Sequence, residues 1–123
     1  MICALILACN RPKALNLSLY SWSVSTMMPI TLSLDCMDKR TVRIANYWNL
    51  KMPNLEVKPS FQMFEKETGS QALKTDERIT RHWISSITRL FFRKNCDYVV
   101  YTEEDHIIGK NFEPSLQAIL PLF

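Results

Sequence analysis

Glycine is almost absent from this 123-residue chain, which contains two glycines and six prolines at scattered positions. Neither G-x-G-x-x-G nor G-x-x-x-x-G-K occurs, so the chain lacks the glycine-rich loops with which dinucleotide-binding folds and P-loop proteins hold phosphate. The same scarcity excludes collagen-like and flexible low-complexity sequence, and no internal repeat is visible. Any phosphate recognition must therefore use other groups.

Long apolar runs and a strong net charge are also missing. The apolar run at residues 2–9 is far shorter than a membrane-spanning helix, and Asn10-Arg11-Pro12 follows it instead of a small-residue cleavage site. We therefore predict a buried strand there, and neither a membrane segment nor a signal peptide in this chain. The net charge of +3 comes from basic residues spread over several predicted elements, which disfavours nucleic-acid binding.

An apolar content of 47% in a chain of this length is enough for one globular domain. Apolar runs predict strands over residues 2–9, 30–35, 55–58 and 97–102. Helical spacing predicts helices after Pro12, after an N-cap at Asp38, over about 75–93 and over 112–120. In the third helix we expect Ile79, Trp83 and Ile87 to face the core. Residues 59–70 form a predicted long loop anchored by Phe61 and Phe64.

This alternation of strands and helices predicts an α/β fold with a mostly parallel sheet and helices on both faces, because parallel strands need crossover connections. Ligands of such sheets bind at the carboxyl ends of the strands. Polar residues follow three of the predicted strands at these ends: Asn10 and Arg11, Asp35, and the acidic run that begins at Glu103.

The acidic run consists of Glu103, Glu104 and Asp105, followed by His106. Carboxylates this close raise one another's pKa unless a cation or hydrogen-bond donors neutralise them, and hard oxygen ligands favour magnesium, manganese or calcium. A divalent metal site is one interpretation. The other is a solvated acidic turn that caps a helix beginning near Asn111.

Together the three strand ends could recognise a nucleotide diphosphate. A metal held by carboxylates bridges phosphate oxygens, and an arginine can pair with phosphate or stack on a base. In the absence of a glycine-rich loop, the sequence therefore predicts a metal-dependent nucleotide-sugar site.

Four motifs in order resemble the N-acetylglucosaminyltransferase I family, which includes the protein O-mannose N-acetylglucosaminyltransferase. They are Ala8-Cys9-Asn10-Arg11-Pro12, Leu34-Asp35-Cys36, Arg81-His82-Trp83 and Glu103-Glu104-Asp105. The resemblance covers nearly the whole chain and is thinnest between residues 51 and 75. Because the Glu-Glu-Asp-His string also resembles N-acetylglucosaminyltransferase II, the acceptor and the branch of the family stay open.

The resemblance implies a GT-A type, Rossmann-like fold that is incomplete here, and inverting β-1,2 transfer of N-acetylglucosamine from its UDP donor to mannose of protein glycans, with manganese as cofactor. It implies that Arg11 and Asp35 bind the uridine part and that His82 contacts the nucleotide. Glu104 would face the donor, Asp105 would ligate the metal and Glu103 would support them. The N-glycan enzyme carries Asp where this chain has Glu104.

The four cysteines, Cys3, Cys9, Cys36 and Cys96, lack the paired close spacing of a zinc site, so buried thiols and disulfides are both open from the sequence. The resemblance implies a disulfide between Cys9 and Cys36, and with it an oxidising compartment, the Golgi lumen in this family. We expect Cys3 and Cys96 to be buried thiols near the amino ends of their strands.

The resemblance also implies that the catalytic base lies in a second half, beyond Phe123, because inverting transfer must deprotonate the acceptor hydroxyl. We therefore expect residues 1–123 to be the nucleotide-sugar-binding part of a transferase domain. This part would bind UDP-N-acetylglucosamine, and the full-length enzyme would take a glycoprotein acceptor. A non-catalytic, receiver-like metal-binding or interaction domain is the rival hypothesis, and an inactive transferase fragment is the third.

Overall fold

The computed structural model describes residues 1–60 and 75–122, so the predicted loop anchors Phe61 and Phe64 lie outside it. Strands and helices alternate in the predicted order. They are β1 (Ile2–Ala8), α1 (Pro12–Ser25), β2 (Ile30–Leu34), α2 (Lys39–Lys51), β3 (Leu55–Pro59), α3 (Thr75–Phe92), β4 (Tyr98–Glu103) and α4 (Phe112–Ile119), followed by a short 3-10 helix, Leu120–Leu122.

The four strands form one parallel sheet in the order β3-β2-β1-β4. Ile6 at the centre of β1 lies opposite Leu32 of β2 on one side and Thr102 of β4 on the other. The chain adds β2 and β3 on one side of β1 and then crosses to add β4 on the other. The strand order therefore reverses between β1 and β4, which is the position where ligands bind in open α/β sheets.

Side chains of β1 alternate between two cores because successive residues of a strand point to opposite faces. Ala4, Ile6 and Ala8 belong to the larger core, which α1, α2 and α4 cover. Leu5 and Leu7 face the other side, where α3 covers them through Leu90. The predicted α/β fold, with a parallel sheet and helices on both faces, is confirmed.

The prediction for the buried face of α3 is wrong in part. Ile79 and Trp83 are exposed, and Ile87 is only partly buried against the smaller core. The buried residues are instead His82, Ser86 and Leu90, which repeat every four residues. The helix turns this face inward because His82 and Ser86 make hydrogen bonds with a hydroxyl of β2, and these bonds offset the cost of burying polar groups.

The expectation of free thiols at Cys3 and Cys96 is also wrong, because these residues form a disulfide with a Cα–Cα separation of 5.9 Å. The parallel pairing of β1 with β4 brings the two positions together although 93 residues separate them in sequence. A second disulfide joins Cys9 and Cys36. Two disulfides are compatible with a lumenal or secreted location. Within residues 1–60 and 75–122, no helix is long and apolar enough to cross a membrane.

Candidate functional site

The site lies at the carboxyl edge of the sheet, where the ends of β2, β1 and β4 stay hydrogen-bonded to one another. The Asp35 amide donates to the Ala8 carbonyl, and the Glu104 amide donates to the Leu7 carbonyl, each at 3.0 Å. These bonds continue the ladders by one residue beyond β2 and β4. They fix the acidic residues of both strand ends beside the β1–α1 connection.

The buried Glu104 carboxylate holds that connection in place. Its Oε2 accepts hydrogen bonds from the backbone amides of Cys9, at 3.0 Å, and Arg11, at 3.3 Å. Helix α1 begins at Pro12, and no side chain caps it locally. Glu104 therefore supplies, from a distant part of the chain, the negative charge and acceptor that favour a helix amino terminus. A role for Glu104 facing a donor remains a prediction.

Asp105 extends outward and pairs with Arg11, whose Nη1 lies 3.1 Å from Asp105 Oδ2. The side chains are 41% and 62% exposed respectively, so solvent screens this pair. A ligand can therefore separate the two side chains at little cost.

Glu103 is exposed and accepts a hydrogen bond from the Tyr101 hydroxyl at 2.9 Å. Burial, this hydrogen bond, and the charges of Glu103 and Asp105 raise the pKa of Tyr101 to about 12. His106 folds back, and its Nδ1 accepts the Glu103 amide at 3.0 Å. The triplet does not cap α4, where Asn111 is the N-cap residue and no side-chain capping bond forms.

Asp35 lies on the β2 side of the same edge and is buried. Arg78 of α3 binds it twice: Nε contacts Asp35 Oδ2 at 3.1 Å, and Nη2 contacts the Asp35 carbonyl at 2.9 Å. The His82 Nδ1 lies 4.0 Å from the same Oδ2. The structure therefore brings together Asp35 and His82, two of the predicted site residues, and adds Arg78.

His82 is buried against β2, and its Nε2 lies 2.7 Å from the Ser33 hydroxyl, which also accepts a hydrogen bond from Ser86. Because Nδ1 faces the Asp35 carboxylate, we assign the neutral tautomer protonated at Nδ1, in which the Ser33 hydroxyl donates to Nε2. Burial is the main cause that lowers the pKa of His82; nearby Arg78 also lowers it, whereas Asp35 opposes the shift. The ring is therefore a neutral hydrogen-bonding group at pH 7.

Sequence reasoning missed Arg78, Ser33 and Ser86. One signal could have found the two helix residues: Arg78, His82 and Ser86 recur every four positions and so share one face of α3. Ser33 is a polar residue within the largely apolar strand β2. Because successive side chains of a strand point to opposite faces of the sheet, Ser33 lies on the face that α3 covers.

The disulfide between Cys9 and Cys36 ties the two halves of the edge together. Its Cα–Cα separation of 4.7 Å matches the spacing of the neighbouring parallel strands β1 and β2 that precede the two cysteines. The pairing implied by the family resemblance is confirmed. Through it, the connection held by Glu104 and the turn that carries Asp35 are covalently joined.

No group of three or more His, Cys, Asp or Glu side chains able to hold a metal occurs among residues 1–60 and 75–122. Tyr101 binds Glu103, and backbone amides bind Glu104. Asp105 is more exposed to ligands, with Arg11 at 3.1 Å from one oxygen and His106 Nε2 at 3.9 Å from the other. This donor set fits a hard cation that takes one protein carboxylate and completes its shell with phosphate oxygens and water, as magnesium-like ions often do.

No protein-family model matches this chain, and no curated protein shows a significant match to it.

Proposed function

We propose that residues 1–123 form the nucleotide-sugar-binding part of a GT-A type transferase domain, which binds UDP-N-acetylglucosamine together with manganese. The full enzyme would be an inverting β-1,2-N-acetylglucosaminyltransferase of the Golgi lumen that acts on mannose of protein glycans. The supporting observation is that Arg11, Asp35, His82 and Asp105, which come from four distant stretches of sequence, form two pairs along the carboxyl edge: Arg11 with Asp105 where strand order reverses, and Asp35 with His82 at the end of β2.

The two ends of this edge suit different parts of a nucleotide sugar. Asp35 and His82 form a buried, desolvated corner, which suits the uridine part because hydrogen bonds to a base gain specificity where water is excluded. Arg11 and Asp105 are exposed and carry opposite charges, which suits a diphosphate and its cation. Since β1 separates the two corners, they are about 10 Å apart at a strand spacing of about 4.8 Å, a length that a nucleoside diphosphate can span.

Each residue has a defined task in this proposal. Asp105 would hold the metal, which when bound neutralises the diphosphate and favours its departure as leaving group. Arg11 exchanges its contact with Asp105 for a contact with the nucleotide. Asp35 accepts hydrogen bonds from the uridine part of the nucleotide. His82 orients the nucleotide as a neutral ring, Glu103 supports the acidic run, and Glu104 keeps the β1–α1 connection in the required position.

Isothermal titration of UDP-N-acetylglucosamine into the intact, disulfide-bonded chain, with and without manganese, tests the proposal. We expect binding that requires the metal and that weakens at least tenfold in Asp105→Asn, because the metal ligand is lost. Asp35→Asn should weaken binding of both UDP and UDP-N-acetylglucosamine, since both contain uridine. UDP-glucose serves as the test of sugar selectivity.

Asp97→Asn is the matched control, because Asp97 is exposed and pairs with the amino terminus at the opposite edge of the sheet. Its donor binding should equal that of the unaltered chain. An absence of heat above background, or equal affinity in Asp105→Asn and the unaltered chain, contradicts the proposal. Covalent labelling of Asp35 or Asp105 by acetyl phosphate would instead support a receiver-like domain.

A further inference from the structure

A cavity of about 600 Å³ lies between α3 and the half of the sheet formed by β2 and β3, apart from the carboxyl edge. Its volume is in the range that holds a small molecule of sugar or nucleotide size. The polar residues that line it include Thr31, Ser33, Lys58, Ser86, Arg89 and Arg93.

The cavity exists because the apolar side chains of α3 pack on only one half of this sheet face, whereas its contacts with β2 are polar ones from His82 and Ser86 to Ser33. Leu90 and Ile87 pack over the smaller core on β1 and β4. On β2 and β3, the positions that alternate toward α3 are polar: Thr31, Ser33, Glu56 and Lys58. The opposite face of β2 carries Ile30, Leu32 and Leu34, which are buried in the larger core. No apolar attraction therefore draws α3 onto the β2–β3 half, and space remains there.

Positive charge is in excess around this cavity. The Glu56 carboxylate pairs with Lys58 at 2.9 Å, with Lys94 at 2.8 Å and with Arg89 at 3.9 Å. The hydrogen bond from Lys94 is the main cause that lowers the pKa of Glu56, so this carboxylate stays ionised. Arg93 also lines the cavity, and in the described part of the chain no carboxylate lies within ion-pair distance of it. Three cations, Lys58, Arg89 and Arg93, therefore line the cavity, and the Glu56 carboxylate pairs with the first two.

Hydroxyl groups cover the floor of the cavity. Thr31, Ser33 and Ser86 are buried, and Ser33 and Ser86 are linked to each other by a hydrogen bond of 3.2 Å. Phe92 stands at the rim with 81% of its surface exposed. Cations around one space bind a tetrahedral oxyanion, hydroxyl oxygens accept hydrogen bonds from ligand hydroxyls, and a rim aromatic ring offers an apolar face to a sugar.

We propose that this cavity binds the phosphate or sulfate ester of a hydroxyl-rich molecule such as a sugar, at a site separate from the carboxyl edge. Arg89 and Arg93 bind the ester oxygens, and the hydroxyls of β2 and α3 bind the hydroxyls of the ligand. Since Ser33 also binds His82 of the carboxyl edge, the two sites share a wall but not their charged groups.

Calorimetric titration of the intact protein with glucose 6-phosphate, glucose 6-sulfate, inorganic phosphate and glucose tests this site. We expect both esters to bind, glucose not to bind, and affinity to fall as salt rises. Arg93→Gln should weaken ester binding about tenfold, and Arg89→Gln should weaken it similarly. Stronger binding of the phosphate than of the sulfate would identify the ester class.

Arg43→Gln is the matched control, because Arg43 is an exposed arginine on α2, on the far side of the sheet. Circular dichroism of each variant checks that it folds. Failure of both esters to bind, or unchanged affinity in Arg93→Gln and Arg89→Gln, overturns the inference. Displacement of the ester by UDP-N-acetylglucosamine overturns the separation of the sites, whereas ester binding that persists in Asp105→Asn supports it even if donor binding fails.

Discussion

Glu103, Glu104 and Asp105 are adjacent acidic residues with three different environments. Glu104 is buried and accepts two backbone amides, Glu103 accepts a tyrosine hydroxyl at the surface, and Asp105 faces an exposed arginine. The difference arises because β4 ends here, so consecutive side chains no longer share a regular environment. Of the three, Asp105 offers the carboxylate that a ligand can reach, and Glu104 contributes most to the fold.

We predict that Glu104→Ala destabilises the protein by about 1–3 kcal/mol, the usual cost of leaving buried hydrogen-bond groups without a partner. Glu104→Gln should cost less, because it retains an acceptor oxygen for the amides of Cys9 and Arg11. Urea unfolding measures both. Glu103→Ala, at the exposed neighbouring position, should leave the midpoint nearly unchanged; equal losses in the two alanine variants would contradict this role for Glu104.

A second prediction at this scale concerns pH. Since burial lowers the pKa of His82 from its usual 6.5, the unfolded chain takes up this proton at a higher pH than the folded chain does. The contribution of His82 to the free energy of unfolding is therefore fully present above about pH 6.5. It declines as the pH falls below this value, by at most about 1.4 kcal/mol per pH unit. His82→Gln should flatten this decline in urea unfolding between pH 5 and 7.

His106→Gln is the control for the pH prediction, because His106 is exposed and its ring lies outside the hydrogen-bond chain of Ser33 and Ser86. This variant should keep the slope of the unaltered protein. A slope that persists in His82→Gln but disappears in His106→Gln would contradict the prediction and assign the pH dependence to His106.

At the scale of elements, α3 shows how tertiary contacts choose the buried face of a helix. One face offers the apolar side chains of Ile79 and Trp83, yet both remain exposed, with Trp83 against the ring of Tyr101 at 6.3 Å. The face with Arg78, His82 and Ser86 is turned toward β2 and Asp35 instead. A set of mutually satisfied polar contacts has thus outweighed the burial of two apolar side chains.

The two disulfides constrain elements over very different lengths of chain. Cys3–Cys96 closes a separation of 93 residues, and Cys9–Cys36 closes one of 27. In the chain-entropy account of disulfide stabilisation, we expect replacing Cys3 and Cys96 by serine to cost about 4–5 kcal/mol, and replacing Cys9 and Cys36 about 3–4 kcal/mol. Thermal unfolding of the two double variants shows which disulfide contributes more to stability.

The two pairs should also differ in their effect on binding. Loss of Cys9–Cys36 should weaken donor binding, because this bond joins the two halves of the carboxyl edge, whereas Cys3–Cys96 lies at the amino edge. Donor affinity that fell equally in both double variants at a temperature where both are folded would contradict this local role.

At the scale of the whole molecule, β1 connects everything else. It pairs with strands on both sides and supplies alternate side chains to both cores. A substitution that loosens the packing of either core therefore also destabilises β1. We expect the two sides of the sheet to unfold together. Small single domains usually behave in this cooperative manner.

We predict that Leu90→Ala, in the smaller core, lowers the free energy of unfolding by about 2–5 kcal/mol, because Leu90 is 1% exposed and alanine leaves a cavity. The transition should stay single, with coincident curves for tryptophan fluorescence and far-ultraviolet circular dichroism. Phe92→Ala, two residues later and exposed, should change stability by less than about 0.5 kcal/mol. Separate transitions for the two probes would refute the coupling through β1.

Much of the fold and part of the site could be predicted from the sequence. Apolar runs such as the one before Asn10 gave the strands, and the carboxyl-end rule led to Asp35 and Asp105. The interior partners could not be predicted: Ser33 and Arg78 carry no local signal for the buried contacts they make. The donor-binding role of the edge itself stays a prediction.

The sequence by itself determined the order of strands and helices, the parallel sheet, and which residues follow the strand ends, because apolar periodicity and turn residues act over a few neighbouring positions. Only the tertiary structure decided that Cys3 meets Cys96, that His82 turns inward, and that Glu104 holds the start of α1. These contacts join residues from 49 to 95 positions apart. They depend on the side of β1 that β4 occupies and on the rotation of α3, which packing of the whole chain sets.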